Sequence, residues 1–201
     1  MAPPDPLDPL IRALGMQGAP SSDYDLNAGV VLPEGRKLRN AGVLVPVLLR
    51  EGQARLILTK RSSALQHHPG QIAFPGGKQD EGDADITATA LREAHEEIGL
   101  HPENVDVLGT LNAHETVSSF QMTPVLAVVR EPFVPVPEPG EVDEVFDVPL
   151  SHVLNAVNFS VQGRRWRGSV RRYYTVPFGP YYIWGATARI LRALSDAVDR
   201  A

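Results

Sequence analysis

Apolar residues run along this chain in two rhythms. Ala41–Leu49 is almost unbroken Val and Leu, as in a strand covered on both faces. Pro46 within it cannot donate to a ladder, which predicts a sheet edge or a bulge. After a turn at Arg50-Glu51-Gly52-Gln53, Arg55–Thr59 reads as the second arm of a hairpin. Gln71–Phe74 reads as a short strand entering a tight loop, Pro75-Gly76-Gly77. The helical rhythm is clearest over Ile86–Ile98, where Ile86, Ala90, Leu91, Ala94 and Ile98 share one side and Gly99 supplies the stop. Val105–Leu111, Gln121–Val129 and Glu144–Val148 read as strands, and Ser151 as the cap of a short helix. Gly163–Val176 reads as two short strands about Gly168. Trp184–Val198 reads as a closing helix with Ala186, Ile190, Leu191, Leu194 and Val198 on one side. Prolines between Glu131 and Gly140 predict an extended loop. Residues 1–6 are Pro-rich and read as disordered, Asp8-Pro9 opens a short helix closed by Gly15, and residues 16–40 read as loop. Strands and helices mix without strict β-α-β alternation, so the expected class is α+β, a mixed sheet with helices on its faces. The division expected is an N-terminal extension with its short helix, residues 1–39, and a principal domain, residues 40–201.

Composition removes alternatives more than it adds any. A length of 201 residues suffices for one domain, and 43% apolar with 21% charged residues argues against global disorder. The net charge of −5 gives no overall attraction to nucleic acid or an anionic membrane. A phosphorylated ligand therefore needs local basic side chains or metal. The absence of cysteine excludes disulfides, thiolate nucleophiles and Cys-based zinc or iron–sulfur sites. Met1–Pro6 lacks the regions of a signal peptide, and no apolar run approaches the roughly 18 residues of a membrane helix. The expected setting is the cytoplasm. The expected partner is a small-molecule substrate, with a homodimer possible and no nucleic acid or membrane.

The chemistry concentrates in Arg92-Glu93-Ala94-His95-Glu96-Glu97-Ile98-Gly99-Leu100. Glu93, Glu96 and Glu97 stand at i, i+3 and i+4, neighbours on one helix face. Arg92 can pair with Glu96 but cannot neutralise three carboxylates. A divalent cation can, and hard oxygen ligands select Mg²⁺ or Mn²⁺. The plain alternative is a solvated acidic face. Against it stands the upstream Pro-Gly-Gly, where backbone can approach a phosphate closely.

Together, Gly76-Gly77 and Arg92–Leu100 resemble the box of the Nudix hydrolase family: Gly, five residues, Glu, seven residues, then Arg-Glu-apolar-x-Glu-Glu-x-Gly-apolar. The second half matches in full, with Ala94 at the first apolar place. The first half departs. Counting back from Arg92, the first Gly falls on Lys78 and the first Glu on Ala84, so the loop after Gly77 is one residue longer. Asp83 or Asp85 stands in for the missing acid. Leu58-Thr59-Lys60-Arg61-Ser62 with Gly70-Gln71-Ile72-Ala73-Phe74-Pro75-Gly76-Gly77 resembles the signature of the coenzyme A pyrophosphatases within that family. Thr89–Ala94 and Ile183–Arg189 are similar to theirs, while Gln66 departs from a usually basic place.

The resemblance implies an α/β/α sandwich and metal-dependent hydrolysis of the pyrophosphate bond of coenzyme A or its derivatives, giving 3′,5′-ADP and 4′-phosphopantetheine. It implies Mg²⁺ or Mn²⁺ held by Glu93 and Glu97, with Glu96 third and a backbone carbonyl near Gly76 or Gly77. Arg92 would orient a carboxylate. Arg61, Ser62, Gly70, Phe74, Gly76 and Gly77 would meet the substrate. The general base is open among Glu93, Glu115, Glu141 and Glu144. The rivals are another nucleoside diphosphate compound, such as ADP-ribose or a dinucleotide, and a catalytically silent nucleotide-binding module. His67, His68 and His95 read as surface or positioning residues. Arg164, Arg165, Arg167, Arg171 and Arg172 read as a solvated hairpin face, with a coenzyme A 3′-phosphate as the alternative. Trp166, Tyr173 and Tyr174 read as packing, with adenine stacking as the alternative.

Overall fold

The computed structural model describes residues 5–27, 29–30, 32–166 and 168–201, and only the backbone of Trp166. Residues 1–4 of the expected disordered start, and Arg167, lie outside the described residues. In chain order the elements are α1 (Asp8–Ala13), β1 (Ser21–Ser22), β2 (Arg39–Arg50), β3 (Gln53–Arg61), β4 (Ile72–Ala73), β5 (Gly76–Lys78) and α2 (Ile86–Ile98). There follow β6 (Val105–Thr110), β7 (His114–Glu115), β8 (Phe120–Val129), β9 (Val142–Pro149), α3 (Leu150–Val153), β10 (Ser160–Trp166), β11 (Ser169–Thr175) and α4 (Gly185–Asp199).

The sheet is built around β2. Along one edge β2 runs parallel to β8, from Arg39 beside Phe120 to Leu48 beside Val129. Its other edge is shared by two antiparallel partners, β5 against Ala41–Val43 and β3 against Val47–Arg50. Leu44, Val45 and Pro46 lie between them. The Leu44 amide donates to the Pro75 carbonyl at 2.8 Å, so even-numbered amides of this stretch face that edge. The absent N–H of Pro46 therefore falls in the split between partners, where no acceptor requires it. This corrects the expected edge or bulge: the strand is central, and the proline marks where one partner ends and the next begins.

Beyond their hairpin β2 and β3 diverge. In the opening, β4 pairs with β3 at Thr59 and Lys60, and β5 pairs with β2. Pro75-Gly76-Gly77 is thus not a free loop: Gly76 and Gly77 run beside Val43 and Gly42 of β2, and the Pro75 carbonyl accepts from Leu44. The far edge of β3 carries β9, β6 and β7 pair with β8, and β1 adds parallel to β7. The expected loop over 16–40 therefore contains a two-residue strand. Ser151 lies inside α3, whose N-cap is Pro149 without a side-chain cap.

Successive residues of β2 and β3 point to opposite faces. On one face α2 buries Ala90, Ala94 and Ile98 against Leu44, Ile57, Val125 and Ala127. On the other, α1, α3 and α4 bury Leu10, Val153, Leu191 and Leu194 against Val43, Val45, Leu56, Leu58 and Leu126. This is the expected α+β class, a mixed sheet between helical layers. A Cβ on Gly42 would stand 2.5 Å from the Ile86 carbonyl oxygen and 3.0 Å from the Ala90 nitrogen, so glycine sets how closely α2 approaches.

Residues before β2 dock on this frame. Leu10 and Ala13 are fully buried, α1 packs on α4, and Ser21 and Asp23 bond the two ring nitrogens of buried His114. Asn27 donates its side-chain amide to the Arg172 carbonyl and accepts from the Arg172 amide. It thereby occupies the outer edge of the β10–β11 ribbon, which forms a separate two-stranded sheet.

Candidate active site

The acidic helix α2 is fixed at both ends. Asp85, in extended backbone, accepts from the Ala88 amide at 2.8 Å and caps the start. Gly99, in the left-handed conformation at φ 70, closes the end. The proline-rich segment then donates from the amides of Val136 and Glu138 to the carbonyls of Ile98 and Glu97, at 3.0 and 2.9 Å. Two carbonyls of the last turn that helix geometry leaves open are thereby satisfied.

Arg92 organises the carboxylates. Its Nε and Nη2 form a fork on Asp83, while Nη1 donates to Glu93 Oε1 and Glu96 Oε2, both at 2.9 Å. The Thr89 hydroxyl and the Asp80 amide also donate to Asp83. The Arg92 guanidinium holds the Asp83 carboxyl far below the usual range, and that contact in turn raises Arg92. Of the two acids offered for the missing box position, Asp83 meets Arg92 and Asp85 is taken up by the cap.

Glu97 is only 5% exposed, and its Oε2 accepts from the Gly76 amide at 2.9 Å. Burial pushes its carboxyl up to about 7, opposed by the Gly76 hydrogen bond and by the Arg61 charge, and reinforced by the charges of Glu93 and Glu141. Burial also raises Glu93, against the pull of Arg92. The Glu93 carboxylate lies flat against Gly77, where a Cβ would stand 2.5 Å from Oε2. Gly76 has φ +152, and a Cβ there would strike the Gly42 oxygen and Val43 Cα, both at 2.5 Å. The structure thus brings Glu93 and Glu97 to Gly76-Gly77, while the Glu96 side chain, 56% exposed, stays at the rim on Arg92.

The remaining expected residues separate. Arg61 ends β3 with a buried Nε that has no hydrogen-bond partner among the described residues, and its charge bears on Glu97. Ser62 is buried; its amide donates to the Glu141 carbonyl and its hydroxyl accepts from the Ala64 amide, so it shapes a turn. Phe74, expected at the substrate, is buried in the core on the α4 face; its size and apolarity are spent on packing. Glu141 bears on both Glu93 and Glu97. Glu144 instead accepts from the Tyr181 hydroxyl, which this bond pushes up to about 12. Glu115 faces Arg36. His67 and His95 are exposed, and Arg164 stands beside Tyr173.

Sequence reasoning missed a cavity of about 590 Å³ lined by Lys60, Gly70, Glu144, Arg164, Tyr182 and Trp184. Lys60 and Arg61 are consecutive on β3, so this cavity lies across the sheet from the carboxylates, at the same strand end. Its signals in the chain are Gly70, Glu144 and Arg164, each expected singly at a substrate or as a candidate acid, and the aromatic run Pro180-Tyr181-Tyr182.

The donor set around Gly76 fits a hard divalent cation: carboxylate oxygens from Glu93 and Glu97 brought together at the Gly76-Gly77 backbone. Among the described residues no three acidic or imidazole groups converge to enclose an ion. Mg²⁺ does not require that, since it binds through one or two carboxylates while retaining water and gaining substrate phosphates.

Comparison with known proteins agrees with this site. The NUDIX domain family model matches residues 38–166. The chain is 41% identical over 157 residues to the uncharacterized Nudix hydrolase NudL of Enterobacter sp. (strain 638), covering 78% of this chain and 81% of that protein. It is 42% identical over 176 residues to Nudix hydrolase 15, mitochondrial, of Arabidopsis thaliana, covering 84% of this chain and 62% of that protein. The fold is similar to the crystal structure of a NUDIX hydrolase from Alicyclobacillus acidocaldarius, with a TM-score of 0.51 at 17% identity over 81% of this chain and 93% of that one. A mixed sheet between helices with an arginine-braced carboxylate helix defines a pyrophosphohydrolase class of site, and the chain belongs to the Nudix hydrolase family. It is thus an enzyme of nucleoside diphosphate-type substrates, in a family that generally uses divalent metal ions such as Mg²⁺ or Mn²⁺. No helix among the described residues is long and apolar enough to cross a membrane.

Proposed function

We propose that this enzyme hydrolyses the pyrophosphate bond of coenzyme A or its derivatives, in the cytoplasm, to 3′,5′-ADP and 4′-phosphopantetheine. One observation carries the reading. The two segments that resemble the coenzyme A pyrophosphatase signature are bonded to each other, Gly70 N–H to the Arg61 carbonyl at 3.1 Å and Arg61 N–H to the Gln71 carbonyl at 3.0 Å. The second segment is bonded onward to Glu97 through Gly76.

Glu93 and Glu97 would hold Mg²⁺ or Mn²⁺, with Glu96 at the rim and a carbonyl of Gly76 or Gly77 alongside. When bound, such ions neutralise pyrophosphate charge and lower the pKa of a coordinated water. Arg92 keeps Glu93 and Glu96 in one orientation through charge-assisted bonds. Arg61 offers a guanidinium to a phosphate oxygen. Glu141 is the acid best disposed to take the proton of the attacking water.

The test is hydrolysis of coenzyme A with and without Mg²⁺ or Mn²⁺, the products being identified by mass. Metal-dependent release of 3′,5′-ADP and 4′-phosphopantetheine is expected. Faster cleavage of ADP-ribose would remove coenzyme A as the substrate while keeping the metal helix. No turnover of any nucleoside diphosphate compound would leave a silent binding module.

A further inference from the structure

We infer that the cavity on the α4 face seats the nucleoside end of the substrate, and that Lys60 and Arg164 there recognise a phosphate monoester on the ribose, separate from the pyrophosphate that is cut. This deepens the proposed function and takes the position of the cut from it.

The cavity, about 590 Å³, lies within the range of small-molecule sites. Its two cations come from independent elements, Lys60 from β3 and Arg164 from β10. Lys60 feels Asp143 and Arg164 feels Tyr173, yet neither is closed into an ion pair among the described residues. Glu144, opposite Lys60, is the one carboxylate among the described lining residues, so Lys60 and Arg164 leave the cavity net positive; a bare nucleoside makes no use of that charge, whereas a phosphate dianion does. The scissile pyrophosphate does not use them, because on β3 Arg61 turns toward Glu97 while Lys60 turns the opposite way.

The other walls suit a base and sugar. Tyr173 meets Trp184 edge to face at 5.0 Å and its hydroxyl lies 3.4 Å from that of Tyr182, so two ring-bearing wall residues are held by a third. Such rings stack on a base without reading its sequence. Glu144, with one oxygen on Tyr181, presents the other to a ribose hydroxyl or an exocyclic amine. β3 ends here at Arg61 and antiparallel β9 begins here at Val142. An extended ligand can therefore round the end of the sheet with its pyrophosphate at Glu97 and its nucleoside in the cavity.

The experiment is calorimetric titration of the full, metal-free chain with adenosine 3′,5′-bisphosphate and with AMP, alongside coenzyme A hydrolysis by the metal-loaded enzyme. The bisphosphate is expected to bind at least about tenfold more tightly than AMP, the scale of one charge-assisted contact. Arg164→Ala and Lys60→Ala should each remove most of that preference while changing AMP affinity less than about threefold; Arg164→Lys should retain part of it, and Tyr182→Ala should weaken both ligands alike. Equal affinities in the unmodified chain, or equal losses for both ligands in the Arg164 and Lys60 variants, would overturn the inference. If the preference depends on Arg164 and Lys60 but coenzyme A is not cleaved, the cavity assignment stands and the substrate reading falls. If coenzyme A is cleaved without any such preference, the assignment falls and the substrate reading stands.

Discussion

Arg92 and Asp83 are joined by two parallel hydrogen bonds, Nε to Oδ1 at 2.9 Å and Nη2 to Oδ2 at 3.0 Å. The loop acid thus fixes the guanidinium that steadies Glu93 and Glu96. Asp83→Ala is expected to lower kcat about 10- to 100-fold, because Arg92 loses its bidentate anchor, and to lower the thermal midpoint too, because the Thr89 hydroxyl and the Asp80 amide lose their acceptor. Asp85→Ala should cost stability alone, about 1 kcal/mol from the lost cap, with kcat within a few-fold. Paired melts and steady-state kinetics separate the two; a kinetic defect confined to Asp85→Ala would reverse the assignment.

Burying Glu97 sets stability against chemistry. Its folded value of about 7 lies above the ordinary 4.5, so between those values the metal-free folded chain holds a proton that the unfolded chain releases. The stabilisation is complete below about pH 4.5 and is lost as pH rises through 7. At 1.36 kcal/mol per unit this approaches roughly 3 kcal/mol by pH 8. Glu97→Gln keeps an oxygen for the Gly76 amide and removes the ionisation. In metal-free protein it should melt above the unmodified chain at pH 8 and level with it at pH 4, while turnover with Mg²⁺ present should fall at least about 100-fold, as the proposed metal-ligand role requires. Identical pH–stability curves would show that Glu97 ionises freely.

Gly77 and Gly42 predict opposite phenotypes for the same added methyl group. At Gly77 the methyl meets the Glu93 carboxylate, the mobile end of a side chain. The carboxylate can swing aside, so Gly77→Ala should cost more than about tenfold in kcat and under about 1 kcal/mol of stability. At Gly42 the methyl meets helix backbone. Gly42→Ala should therefore cost about 2–3 kcal/mol in urea unfolding, as overpacking does.

Glu141 and Glu144 should separate in kinetics. Glu141→Gln is expected to lower kcat at saturating metal by about 10²-fold or more, the scale of a general base, with nucleotide affinity unchanged. Glu144→Gln should mainly raise KM. A KM effect from Glu141 with none on kcat would return the base to another acid.

Much of this was legible in the chain. The helices over Ile86–Ile98 and Gly185–Asp199 follow from apolar periodicity, and the carboxylate face follows from positions i, i+3 and i+4. Pro46 misled because sequence gives a strand's faces but not which neighbour each amide addresses. Gly76-Gly77 read as a loop because glycines carry no side-chain pattern to betray a ladder. Glu141 and Glu144 could not be told apart because the register shifts between Lys60 and Arg61, placing Glu144 opposite Lys60 and Val142 opposite Arg61. The cavity draws on β3, the Gly70 turn, β9, the hairpin and the start of α4, and no local pattern announces such an assembly.

Asn27 has a consequence far from any ligand. The β10–β11 ribbon carries exposed Val161 and Val170, and an open strand edge beside apolar residues is a template for another copy of the chain. By presenting its amide as one peptide of a strand would, Asn27 ends that ladder at Arg172. A second copy of the chain could therefore pair with β11 at Arg172 only by displacing a side chain from the segment before β2.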